Sequence, residues 1–187
     1  LAALDHPVFL SVFPLLMDIY QAQGQERKYV DALQQGLNLA MKTLPEKITF
    51  FGNHQIPFEH LPNQPIHLLF FKMGELLNNG GYHQKALDYF WMMVGLDRND
   101  ELGARIELLR CFLLSDRADE CHWLFKEYQN DRTPEFLFAQ AVGRYRQGQV
   151  KESAAFLTKL HETNPRWLEI LKQADKNMEK TAERYLG

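Results

Sequence analysis

Apolar residues recur along this chain at helical spacing. Leu102, Ile106, Leu109 and Leu113 follow one another at intervals of four, three and four, with Phe112 beside the stripe, as one buried helix face requires. A weaker version runs through Phe136, Ala139, Gln140, Gly143 and Gln147, and Phe156, Leu157 and Leu160 resume it. Strict alternation never lasts long enough to specify a strand. The exception is the run Ile48 to Phe51, which β-propensity favours but which has no partner strand in view. Punctuation divides the rest into paired helices. A first helix starts at Asp5, before Pro7, and ends near Gly24; a second runs from Glu26 to about Thr43 and is stopped by Pro45. An irregular connector follows over 44–64, with Pro45, Gly52, Pro57 and Pro62. Helices are then expected over 65–79, 83–96, 101–114, 118–130, 134–146, 150–163 and near 167–185. Thr133-Pro134-Glu135 reads as a helix start with a capping hydroxyl, and Asn164-Pro165 as a stop.

The turns between paired helices fall at Gly81, Asp116 and Gly148, spaced by 35 and 32 residues. Two helices per unit of about 34 residues is the tetratricopeptide period. With Ala86 at motif position 20, Phe70 falls at 4, Met73 at 7, Gly74 at 8, Leu77 at 11, Gly81 at 15, Phe90 at 24 and Met93 at 27, without a gap. Position 32, usually Pro, is Arg98. A second, weaker unit places Cys121 at 20, Leu108 at 7, Leu109 at 8, Phe112 at 11 and Phe125 at 24. A third places Ser153 at 20, Ala141 at 8, Gly148 at 15, Leu157 at 24, Leu160 at 27 and Pro165 at 32. Over residues 67–166 the chain thus resembles the tetratricopeptide repeat family, TPR-like, in three units of uneven quality.

That resemblance implies an all-α fold in which antiparallel helix pairs stack as a short right-handed superhelix, an α-solenoid. The whole chain, 1–187, is expected to form one helical-repeat domain. Residues 5–43 make an N-terminal helical hairpin, 44–64 the connector, 65–166 the repeats and 167–187 a C-terminal capping helix. In the last helix Leu171, Ala174, Met178, Ala182 and Tyr185 share a face and charged residues cover the remainder, as a terminal solvating helix needs. A coiled-coil dimerisation helix is the sharper alternative, though fewer than three heptads support it. The first residue, Leu1, suggests a processed product or a piece of a longer protein.

Composition removes several function classes. Hydrophobic residues make up 45% and charged residues 24%, so neither disorder nor membrane spanning is expected. The apolar run Val8 to Met17 is too short to cross a bilayer and carries Pro14. A net charge of −3 lacks the positive field that nucleic-acid binding draws on. Cys111 and Cys121 cannot form a disulfide framework and read as buried thiols, which suggests a cytoplasmic protein. Aromatic residues are abundant at 12%.

Positive signs of catalysis are lacking. His54, His60 and His67 have spacings of six and seven, longer than usual for zinc pairs, and read as loop histidines. No nucleophile elbow, phosphate loop or zinc-protease pattern occurs, so no enzyme, cofactor or metal site is expected.

A binding role has a physical basis, because stacked helix pairs leave an extended concave face. The family's groove positions fall here on Phe71, Glu75, Asn78, Asn79, Arg110, Phe138, Tyr145 and Arg146. Some members hold a C-terminal carboxylate with a Lys/Asn/Arg clamp. Motif position 5 carries Phe71, Ile106 and Phe138 instead of Lys, which points to a partly apolar ligand or to a groove filled by the chain itself. The resemblance therefore implies a scaffold that binds a peptide or partner domain. The alternative is a structural or regulatory segment whose first helix, around Phe9, Phe13 and Leu16, packs on other parts of a larger protein. RNA binding is disfavoured by the charge.

Overall fold

The computed structural model describes residues 9–44, 55–115, 117–167, 169–170 and 172–173, and among them every regular element is helical. The elements are α1 (Val12–Ala22), α2 (Glu26–Thr43), a single 3-10 turn at Leu61–Asn63, α3 (Gln64–Asn79), α4 (His83–Leu96), α5 (Ala104–Leu114), α6 (Ala118–Glu127), α7 (Pro134–Arg146) and α8 (Val150–Thr163). The Ile48–Phe51 run, the start at Asp5 and the turn at Asp116 lie outside the described residues, as do the residues beyond 173 that bear on the capping or coiled-coil helix.

Two compact units divide the chain, Leu1–Asp116 and Arg117–Gly187. In the first, hairpins α1–α2 and α3–α4 pack side by side with α5 against α4, and α1 and α5 each also touch α3. In the second, α7 and α8 form a hairpin and α6 lies against α7.

Three hairpin turns share one backbone design. Gly24, Gly81 and Gly148 have φ of +65°, +80° and +75°, the left-handed region where a side chain is strained. After each glycine an amide reaches five residues back: Gln25 to Tyr20, Tyr82 to Leu77 and Gln149 to Arg144, at 2.8–2.9 Å. These bonds satisfy carbonyls that the helix end leaves unpaired. The α1–α2 hairpin, which lacks the sequence motif, is therefore closed in the same way as the repeats.

The start of α5 differs from expectation by three residues. Asp100, at φ +50°, turns its carboxylate onto the amides of Ala104 (2.7 Å) and Arg105 (3.1 Å), and the Arg105 guanidinium reaches the same carboxylate at 2.7 Å. Residues 101–103 thus form the capping loop and the helix begins at Ala104. Burial raises the Asp100 carboxyl above the usual carboxylate range, against the pull of Arg105. At α7 the predicted hydroxyl cap is not made. The Thr133 Oγ1 has no partner, and its amide donates to Asp131 Oδ1 at 2.7 Å, leaving Pro134 to set the first turn.

The core of the first unit is built on Leu33, Leu69, Phe70, Phe90, Leu108 and Phe112, all essentially inaccessible. At Gly74 α3 packs tightly on α4, since a Cβ there would lie 2.6 Å from the Phe90 ring. Trp91 meets Phe112 edge-on at 5.4 Å. Leu124, Phe136, Leu137 and Leu160 form the core of the second unit, with Phe125 edge-on to Phe136 at 5.9 Å. Burying each such side chain contributes about 1.5–3 kcal/mol.

The described end of the connector is tied down. The Ile56 amide donates to the Leu96 carbonyl at 2.8 Å, and Gln55 Nε2 to the Gly95 carbonyl at 3.1 Å, so the connector serves carbonyls at the end of α4. His67 is not a loop histidine. It is buried on α3 and donates from Nε2 to the Ile56 carbonyl at 2.6 Å. His60 is exposed beside the 3-10 turn, and His54 lies outside the described residues.

Candidate functional site

The eight groove residues named from sequence fall in both units. Phe71, Glu75, Asn78, Asn79 and Arg110 belong to the first, and Phe138, Tyr145 and Arg146 to the second.

Within the first unit, Glu75 and Asn79 open onto a cleft of about 640 Å³. Its walls are the end of α1 (Gln21, Gly24), the start of α2 (Glu26, Tyr29, Val30) and the second half of α3 (Lys72, Glu75, Leu76, Asn79). The α3 residues sit at i, i+3, i+4 and i+7, which is one face of a helix. Lys72 Nζ and Glu75 Oε2 pair at 2.8 Å along the α3 wall. The hydrogen bond to Glu75 raises the Lys72 pKa, and partial burial raises that of the Tyr29 phenol. The cleft thus offers an aromatic wall, an aliphatic patch at Val30 and Leu76, and both charges. Tyr29 and Lys72 escaped the sequence reading because α2 lacks the repeat motif and Lys72 lies beside, not on, a groove position. The polar stripe on α3 is the signal that could have found them.

Asn78 has a different job. It is buried, accepts at Oδ1 from His83 Nδ1 (2.6 Å) and donates from Nδ2 to Glu107 Oε2 (3.3 Å). Glu107 also faces the Arg110 guanidinium at 3.7 Å. Asn78 therefore ties α3 to α4 and α5 instead of presenting a free amide, while the Arg110 guanidinium stays largely exposed. Phe71 is half-buried with its ring edge-on to Phe90 at 5.8 Å.

Within the second unit, Phe138 is half-buried and stacks on Trp167 at 6.2 Å and 25°. The Trp167 ring thus covers part of the Phe138 side chain. Tyr145 and Arg146 are exposed. Cys111 and Cys121 are buried free thiols, as expected, and burial pushes their pKa values up to about 12 and about 11, where no reactive thiolate forms at neutral pH. Among the described residues no group of histidine, cysteine and carboxylate side chains is arranged to hold a metal, and no helix is long and apolar enough to cross a membrane.

A family model described as "Transcriptional repressor TCF25" matches residues 15–184. The chain belongs to the TCF25 family. Sequence membership is therefore with that family, and the tetratricopeptide likeness is one of fold. A solved structure from Podosopora anserina, described as a kinesin light chain with nearly identical TPR-like repeats, is similar over 86% of this chain and 79% of its own, at TM-score 0.56 and 20% identity. This establishes a TPR-like helical-repeat fold of the α-solenoid type. No curated protein sequence matches the chain.

Proposed function

We propose that this chain is a non-enzymatic protein-interaction module that holds a peptide or partner domain, and that it does so within a transcription-repressing assembly. The observation that carries this reading is the α2–α3 cleft, open to solvent and lined by Tyr29, Lys72, Glu75 and Asn79 within a helical-repeat fold. Amide, ammonium and carboxylate groups on the α3 wall and an aromatic group on the α2 wall match the mixed chemistry of a peptide, in which backbone and side chains both need partners. The net charge of −3 favours a protein over a nucleic acid as that partner. The family's description supports a role in repression. Free buried thiols suit the reducing interior of nucleus and cytoplasm alike, and the family's description favours the nucleus.

The test is capture of partners from nuclear extract by the purified chain. Lys72→Glu with Asn79→Arg, both at the cleft rim, should remove the specific partners that the unaltered chain retains. A parallel Arg110→Glu, Arg146→Glu variant probes the face named from sequence. Capture unchanged by the Lys72 and Asn79 substitutions would sink the cleft reading.

One observation favours a second reading, that of a structural segment of a larger protein. Val12, Leu15 and Ile19 are exposed along α1 and Phe9 just before it, an apolar stripe of the kind that packs on another element. Leu15→Lys with Ile19→Lys should leave helix content unchanged and improve solubility if that stripe is normally covered.

A further inference from the structure

The second unit contains a cleft that the repeat pattern does not name. It measures about 310 Å³ and lies between α6 and α7. His122, Phe125, Lys126 and Gln129 line one side, and Gln140, Gly143, Arg144 and Gln147 the other. His122, Phe125 and Lys126 share one face of α6, with Gln129 in the turn after it, and Gln140, Gly143 and Arg144 share one face of α7, with Gln147 at its C-terminal cap. The α7 set is built on the stripe that reads in sequence as a weak apolar face. Here it is the wall of an opening.

Three features define what fits. The first is charge: Lys126 and Arg144 line the cleft and no carboxylate does, with the His122 imidazole as a further polar group. Among the described residues neither Lys126 nor Arg144 takes part in an ion pair; Arg144 donates only to the Gln149 side-chain oxygen, at 2.8 Å. The second is amide chemistry. Gln129, Gln140 and Gln147 each offer both a donor and an acceptor, the complement of a peptide backbone. The third is space: a Cβ added at Gly143 would meet nothing within 4 Å. The α7 face from Gln140 to Gln147 is about 10 Å long, which accommodates about three extended residues.

We propose that the α6–α7 cleft is a docking site for an acidic peptide segment of a partner protein, with Lys126 and Arg144 receiving its carboxylates and the glutamines its backbone. A short acidic segment needs only local positive charge. A long polyanion such as RNA would meet the repulsion of a chain carrying −3 overall. This site lies in a different unit from the α2–α3 cleft, so failure here leaves the capture test above intact.

Fluorescence anisotropy on the full chain tests it with three labelled probes: a hexapeptide alternating glutamate and leucine, the same peptide with glutamine for glutamate, and a twelve-residue oligouridine. The glutamate peptide should bind saturably in the micromolar range and weaken as salt rises, and the glutamine peptide should bind at least about tenfold more weakly. Lys126→Gln with Arg144→Gln should cost the glutamate peptide about tenfold or more. Gly143→Phe should abolish binding by filling the cleft, whereas Gly143→Ala, which leaves it open and favours the helix, should keep it. Circular dichroism confirms that each variant is folded. The absence of saturable glutamate-peptide binding overturns the proposal. So does equal binding of both peptides, binding that survives in a folded Gly143→Phe protein, or tighter binding of the oligouridine.

Discussion

Gly74 and Gly143 both interrupt a first helix of a repeat hairpin, yet they do opposite things. At Gly74 the α3 backbone is pressed against the Phe90 ring, with 2.6 Å where a Cβ would stand. At Gly143 the α7 backbone faces open space. Glycine weakens a helix interior by about 1 kcal/mol relative to alanine. In α3 that cost is offset by close packing of two helices. In α7 no packing within 4 Å offsets it, which is what a surface kept clear for a ligand requires. The difference teaches that a small residue in a repeat helix has to be read by the face it occupies. Gly74 is at motif position 8, facing its hairpin partner, while the residue at position 8 of the third unit is Ala141, which is buried; Gly143 lies two residues further round.

The comparison breaks most visibly at Phe90. Phe90→Ala should destabilise by about 3–5 kcal/mol, read in urea unfolding, because it empties the centre of the α3–α4 hairpin. Gly74→Ala alone should cost about 1–3 kcal/mol from overpacking, despite its better helix propensity. In the double variant the new methyl has room, so the two effects should sum to clearly more than the double variant loses; strict additivity would show that Gly74 is not held by Phe90. Gly143→Ala should have the smallest effect and the opposite sign, a gain of about 0.5–1 kcal/mol. A loss there would mean that the cleft is filled in solution.

Much of the architecture was legible because it rests on local rules. The bounds of α2 and α4, and the start of α7, follow from glycine, proline and helical periodicity, and Phe70, Phe90 and Phe112 occupy buried packing positions as the motif requires. What escaped depends on geometry between elements. Nothing local to Asp100 announces that its side chain will displace the start of α5, and at Thr133 the backbone amide donates to Asp131 while the hydroxyl makes no cap. The candidate site was the least legible part. Glu75 and Asn79 were named and line the α2–α3 cleft; Lys72 is their neighbour on the same helix, but Tyr29 meets them only because α2 folds back across a hairpin that carries no motif. Asn78, one position along, turns inward to His83 and Glu107. A single residue's rotation around a helix decides between facing the cleft and bracing the helices.

His67 gives the connector a chemical sensitivity. Burial pushes its pKa below the ordinary histidine value, against the opposing hydrogen bond to Ile56 and the charge of Asp97. The unfolded chain takes up a proton near pH 6.5, whereas the folded one resists it. Protons therefore favour unfolding: the stability that neutral His67 contributes is complete above about pH 6.5 and is lost as pH falls through the lowered folded value. Mild acid should loosen the join between connector and α3 before it disturbs the aromatic core, and His67→Gln should flatten that part of the stability profile in urea titrations at successive pH values. The histidine that looked like a loop residue is thus a proton-linked latch between α3 and the connector at Ile56.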